Sequence, residues 1–156
     1  VNPQEIQQLH RDVWAARRAL AAIWPLPPAD DCARFAITEL GEVFDALLRA
    51  DPHYVRNHRK DYDLGHELAQ LGMMALLVYP GDFPEFNRGF SDMIVDVQAD
   101  LAETVASLLR CQQEGLHHSL TLSIGLTLEL LERLAVQHDI HNLPELIRQV
   151  ARQAPA

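Results

Sequence analysis

Residues 35–49 read FAITELGEVFDALLR, and the spacing of their apolar members sets the fold class. At about 100° per residue, Ala36, Leu40, Val43, Phe44 and Leu47 collect on one arc of a helix, the pattern of a face turned to a core. Glu39 and Glu42 stand at the border of that arc, while Thr38, Asp45 and Arg49 point further out. A carboxylate beside a buried face needs a compensating partner, because an ionised group taken out of water is costly unless it is paired or coordinated.

The same periodicity runs through the rest of the chain, with no β-branched alternation bounded by hairpin turns, so the expected class is all-α: a helical bundle of about five helices plus a short C-terminal one. The first helix is expected over 3–24, opened by Pro3 and broken by WPLPPADD with its three prolines. The second follows Asp30 and Asp31 as its cap and ends near 50, before Asp51-Pro52. A third over 61–79 is stopped by Pro80-Gly81, a fourth covers 91–113 and a fifth 119–137. A short sixth, 143–152, follows Asn142 as cap. No linker or low-complexity segment divides residues 1–156, which read as one domain. The fifth helix, SLTLSIGLTLELLERLAV, is apolar around most of its circumference; burial on several sides is hard to meet in one small bundle, so a homodimer is expected.

Composition narrows the function. The chain has 156 residues, 48% of them hydrophobic and 22% charged, with a net charge of −9. So acidic a protein is a poor partner for nucleic acid, which is held by basic patches that release its counterions. No stretch reaches the roughly 18 consecutive apolar residues of a membrane span, and the first residues lack a leader pattern, so a soluble, cytoplasmic protein without membrane association is expected. Cys32 and Cys111 lack CxxC spacing and suggest neither zinc nor a disulfide framework. Of the eight histidines, only His117 completes a Glu-x-x-His pair, with Glu114 and across Gly115, which excludes a di-iron bundle site.

The acids of the third helix are more telling. Glu67 falls among Leu64, Leu71, Met74 and Val78, inside the apolar stripe, with Asp63 and Gln70 on the same side. No Lys or Arg follows Lys60 in that helix to pair with it. If the second and third helices form an antiparallel hairpin, Glu39, Glu42, Glu67, Asp63 and Gln70 can converge. Such an oxygen-rich set suits Mg²⁺ or Mn²⁺, which keep waters and bridge to phosphates. The basic cluster Arg56, His58, Arg59 and Lys60 just before is either a phosphate-binding group or a solubilising flank. Trp24 either stacks on a base or closes the core at a helix end. Asp92, Asp96, Asp100 and Glu103 form a solvated acidic face, and His66 points well away from Glu67 and is not expected to be a ligand.

The motif TELGE (38–42), followed 25 residues after Glu42 by ELAQLGMMAL (67–76), resembles the ExxE…ExxD signature of the MazG-like all-α nucleoside triphosphate pyrophosphohydrolases, a group that includes dimeric dUTPases and phosphoribosyl-ATP pyrophosphatases. The Trp24-Pro25 break is similar to the turn between helices in that family, and the resemblance covers roughly 9–79. It implies an oligomeric protein that binds Mg²⁺ and attacks the α–β phosphoanhydride of a nucleoside triphosphate with water, releasing the monophosphate and pyrophosphate. Glu39, Glu42 and Glu67 would be ligands with position 70 as the fourth, and Glu39 or Glu42 would orient or deprotonate the water. Two positions depart from the pattern: Gln70 stands where the family has Asp, and Thr38 where many members have a further Glu. Asp63 could supply the missing charge. The alternative is a catalytically degenerate protein of this fold acting as a binding or scaffold module.

Overall fold

A computed structural model describes residues 2–51, 53 and 63–153. Among them the chain forms six α-helices and no strand: α1 (Pro3–Ala19), α2 (Ala29–Ala50), α3 (Leu64–Leu77), α4 (Val97–Glu114), α5 (His117–Gln137) and α6 (Leu143–Arg152), with a 3₁₀ turn at Ser91–Met93. The all-α expectation holds, and no described helix is long and apolar enough to cross a membrane.

Local chemistry sets most of the ends. Asn2 caps α1, its side chain accepting the Glu5 N–H at 2.9 Å, and Pro3 sits in the first turn, where no backbone donor is needed. α1 stops at Ala19 rather than running to Trp24. Trp24 N still reaches Leu20 O at 2.8 Å, so the winding relaxes into a loose turn before Pro25, which disfavours helical geometry in the residue ahead of it. Asp30 and Asp31 do not cap α2: Pro28 holds the cap position, and both acids lie inside the first turn, where they face the positive end of the helix dipole. α3 begins at Leu64 because Asp63 is its cap, accepting the His66 N–H at 3.0 Å. α4 likewise starts at Val97, not at 91, because Asp96 caps it through the Ala99 N–H at 3.0 Å. Asp100 binds the backbone N–H groups of Val95 and Asp96, so two acids of the expected solvated face are structural. Gly115 closes α4 with φ 69°, a left-handed conformation that costs little without a Cβ, and α5 starts two residues later.

All six helices contribute buried residues to one core. α2 buries a small-residue stripe of Cys32, Ala33, Ala36, Val43 and Ala46, and α3 buries Ala69, Gly72 and Ala75 among its own core residues. The two helices run antiparallel. Phe35 and Glu39, early in α2, share a cavity with Gln70, Met74 and Leu77 late in α3, while Ala50 at the far end of α2 meets Asp63, Leu64 and Gly65. α6 seats on α3 at Gly72, where an added Cβ would lie 2.7 Å from Ile147 Cδ1, and Arg148 of α6 ties to Asp12 of α1 at 2.9 Å.

α5 is packed by its own chain. Leu120, Ile124, Leu128, Leu130, Leu131, Leu134 and Ala135 are buried against α4, α3 and α1. The helix is covered on several sides within a single copy, so its apolar circumference is no argument for a homodimer.

Candidate functional site

The antiparallel pairing of α2 and α3 gathers the acids that the sequence placed on separate segments. Glu39 is half-buried, with Oε2 out of reach of solvent and without a hydrogen-bond partner among the described residues. Burial first, then the charges of Glu67 and Glu42, push its pKa up to about 7. Glu67 is raised as well, chiefly by burial. The neighbouring His66 pulls the other way, and Glu42, Asp63 and Asp45 add to the rise. One electrostatic field therefore spans Glu39, Glu42, Asp45, Asp63 and Glu67. Glu42 is the most solvent-facing of the three glutamates.

The oxygen-only character of this set, and the buried Glu39 oxygen without a donor, match what a hard divalent cation requires. As placed, no three His, Cys, Asp or Glu side chains among the described residues are grouped tightly enough to grip an ion. The two observations are compatible for Mg²⁺, which commonly takes one or two carboxylates and keeps waters or phosphate oxygens in its remaining positions. Like charges also hold unneutralised carboxylates apart.

Beside Glu39 opens a cavity of about 630 Å³, with Gln70 and His66 on its polar side and Phe35, Met73, Met74 and Leu77 among its apolar walls. Gln70 thus faces the same space as Glu39, as the spacing on α3 leads one to expect. Asp63 does not: it is exposed, spends one carboxylate oxygen on capping α3, and borders a separate hollow with Ala50 and His138. The polar ladder of Asp63, Glu67 and Gln70 is therefore broken up: Gln70 and Asp63 face different hollows, and Glu67 lines neither. His66, which the helical wheel turns away from Glu67, nevertheless lines the Glu39 cavity, because that cavity reaches around α3 toward α6. Trp24 is 38% exposed in the loose turn after α1, so it does not close the core at the helix end, and it is not part of the cavity beside Glu39. The basic residues Arg56, His58, Arg59 and Lys60 lie outside the described residues.

Sequence reasoning missed Arg17 and Gln153, which enter the cavity from α1 and from the end of α6. For Arg17 a signal was present. It continues the stripe of Ile6, Leu9 and Val13, so a cation occupies a position where the periodicity calls for an apolar residue. Gln153 carries no such mark, since its place depends on where α6 ends relative to α1.

Fold and site together define an all-helical protein in which Glu39, within electrostatic reach of Glu42 and Glu67, borders a largely apolar cavity between two antiparallel helices. No protein-family model, curated protein or solved structure matches the chain.

Proposed function

We propose that the protein is a divalent-cation-dependent nucleotide pyrophosphohydrolase of the MazG-like type, converting a nucleoside triphosphate to the monophosphate and pyrophosphate. The observation that carries this reading is the meeting of Glu39, Glu42 and Glu67 in one field across the α2–α3 pair, with Glu39 lifted to about pH 7. Glu42 and Glu67 would hold Mg²⁺ or Mn²⁺, with Glu39 within electrostatic reach of both and the Gln70 side chain, in the cavity that Glu39 lines, offering a neutral oxygen. The cation, when bound, supplies charge neutralisation for the phosphate oxygens. A carboxylate that titrates near neutrality suits a general base. Glu39 accepts a proton from water as the water oxygen bonds to the α-phosphorus, the α–β anhydride bond breaks, and pyrophosphate departs with that bond's electron pair.

A second reading, a binding module of the same fold without catalysis, is favoured by Gln70, whose neutral amide leaves the cleft one charge short of the family pattern. A pyrophosphate-release assay over ribo- and deoxynucleoside triphosphates with Mg²⁺ and with Mn²⁺, beside calorimetric titration of the metals, separates the two. Release that is lost in Glu39→Gln and Glu67→Gln supports the hydrolase. Metal or nucleotide binding without release supports the binding module, and the absence of both ends the reading.

A further inference from the structure

A second hollow, of about 400 Å³, lies along α1 and shares no lining residue with the cavity beside Glu39. Gln7, His10, Arg11, Trp14 and Arg18 fall on one face of that helix and form one wall, and residues 80–83, beyond α3, form the other. Two hydrogen bonds tie the walls together. Gln7 Nε2 donates to the Phe83 carbonyl at 2.9 Å, and His10 Nε2 donates to the Tyr79 carbonyl at 2.7 Å. Trp14 is fixed in turn, its Nε1–H donating to the Leu76 carbonyl at 3.2 Å.

The charge around this hollow is unbalanced. Arg18 lies over the Trp14 ring, 5.2 Å from its centroid, a contact that positions the guanidinium but gives it no acid. Arg11 makes only a long 3.4 Å bond to Gln8. Asp12, next to it in the chain, is taken by Arg148 of α6 at 2.9 Å. Asp82 lines the same hollow, yet among the described residues neither arginine forms an ion pair with it or with any other carboxylate. In a chain with 13 Lys and Arg against 22 Asp and Glu, two neighbouring arginines without an acid stand apart from the surrounding surface.

Guanidinium groups are best met by planar charged acceptors, and a carboxylate can take two parallel N–H bonds from one of them. The net charge limits the ligand further. Burial lowers the His10 pKa, so its ring is neutral at pH 7, and two arginines against Asp82 leave one positive charge. A single negative charge balances that sum, whereas a polyphosphate would set surplus charge against Asp82. The volume is in the range of small-molecule sites. We propose that this hollow binds a small carboxylate monoanion, held by the guanidinium groups of Arg11 and Arg18, with its body beside Trp14.

The test is titration of the full chain with sodium acetate, sodium benzoate and sodium phosphate, against sodium chloride at equal ionic strength, followed by the indole N–H resonance of Trp14. Both carboxylates should shift that resonance saturably, and chloride should not. Arg11→Gln and Arg18→Gln should each weaken benzoate binding about tenfold, as expected for loss of a charge-assisted donor. Both side chains are exposed, so the variants should melt with the parent protein. Asp82→Asn removes the opposing charge and should let phosphate bind more tightly than it binds the parent. A response to chloride equal to that of the carboxylates, no saturable shift, or benzoate binding undiminished in both arginine variants overturns the proposal. Phosphate binding the parent more tightly than benzoate overturns the choice of a carboxylate monoanion.

Discussion

At the scale of single residues, the cleft is defined by groups whose charge is poorly tolerated where they sit. Burial, and then the charges of Glu67 and Glu42, push the pKa of Glu39 up to about 7 in the folded chain from an ordinary 4.5. The folded state therefore holds a proton that the unfolded state has released, and stability should fall as pH rises between those two values. In chelator, the melting temperature of the parent protein should drop from pH 5 to pH 8 more than that of Glu39→Gln, and a divalent cation should restore part of the loss. Identical pH profiles for the two proteins would remove Glu39 from its buried, acid-flanked setting. Glu67→Gln should abolish divalent-ion binding in calorimetry while keeping the fold, with stability unchanged or raised by about 1 kcal/mol, since it removes a half-buried charge surrounded by other acids. Gln70→Asp adds a carboxylate on the Glu39 side of the cleft. It should tighten Mg²⁺ binding and raise pyrophosphate release if the parent is active, whereas a catalytically degenerate parent would gain metal affinity alone.

At the scale of elements, close approach and capping carry the specificity of packing. Gly125 of α5 lies under Phe90, whose ring carbons would stand 2.5 and 2.8 Å from an added Cβ, whereas at Gly72 the obstacle is the flexible end of Ile147. Alanine gains about 1 kcal/mol of helix propensity at either site. Gly72→Ala should therefore come out near neutral as Ile147 adjusts, while Gly125→Ala should lose about 1–3 kcal/mol in urea denaturation because a ring cannot fold away. Equal effects would mean that Phe90 yields as readily as Ile147. Asp63 belongs to this scale as well. Asn caps a helix as well as Asp does, so Asp63→Asn should preserve α3 and change metal affinity little, while Asp63→Ala should cost about 1 kcal/mol of stability. A large loss of metal binding in Asp63→Asn would return Asp63 to the ligand set.

At the scale of the whole molecule, helix count and the α2–α3 acids were legible in the sequence because periodicity and caps are local: Ala36 and Val43 are buried where the wheel of residues 35–49 puts them, and α6 begins and ends where expected. The buried face of α2 is nonetheless turned toward the glutamates, since Ala46, between them on the wheel, is buried while Leu40, Phe44 and Leu47 are only partly so. The environment of α5 was not legible. Its composition demanded burial, and only the packing of α4, α3 and α1 around it showed that one copy supplies the cover. Its amides should accordingly exchange slowly with solvent to the same degree in dilute and concentrated protein. Protection that rises with concentration would reinstate a second subunit as the covering surface. The cleft divides along the same line. The sequence by itself determined that Glu39, Glu42 and Glu67 border apolar faces, since a residue's place on a helix depends only on its neighbours in the chain. That Arg17, Gln153 and His66 share a cavity with Glu39 and Gln70, while Asp63 does not, was decided by tertiary structure alone, because it depends on how α1, α3 and α6 cross, and no spacing along one helix encodes the angle at which another meets it.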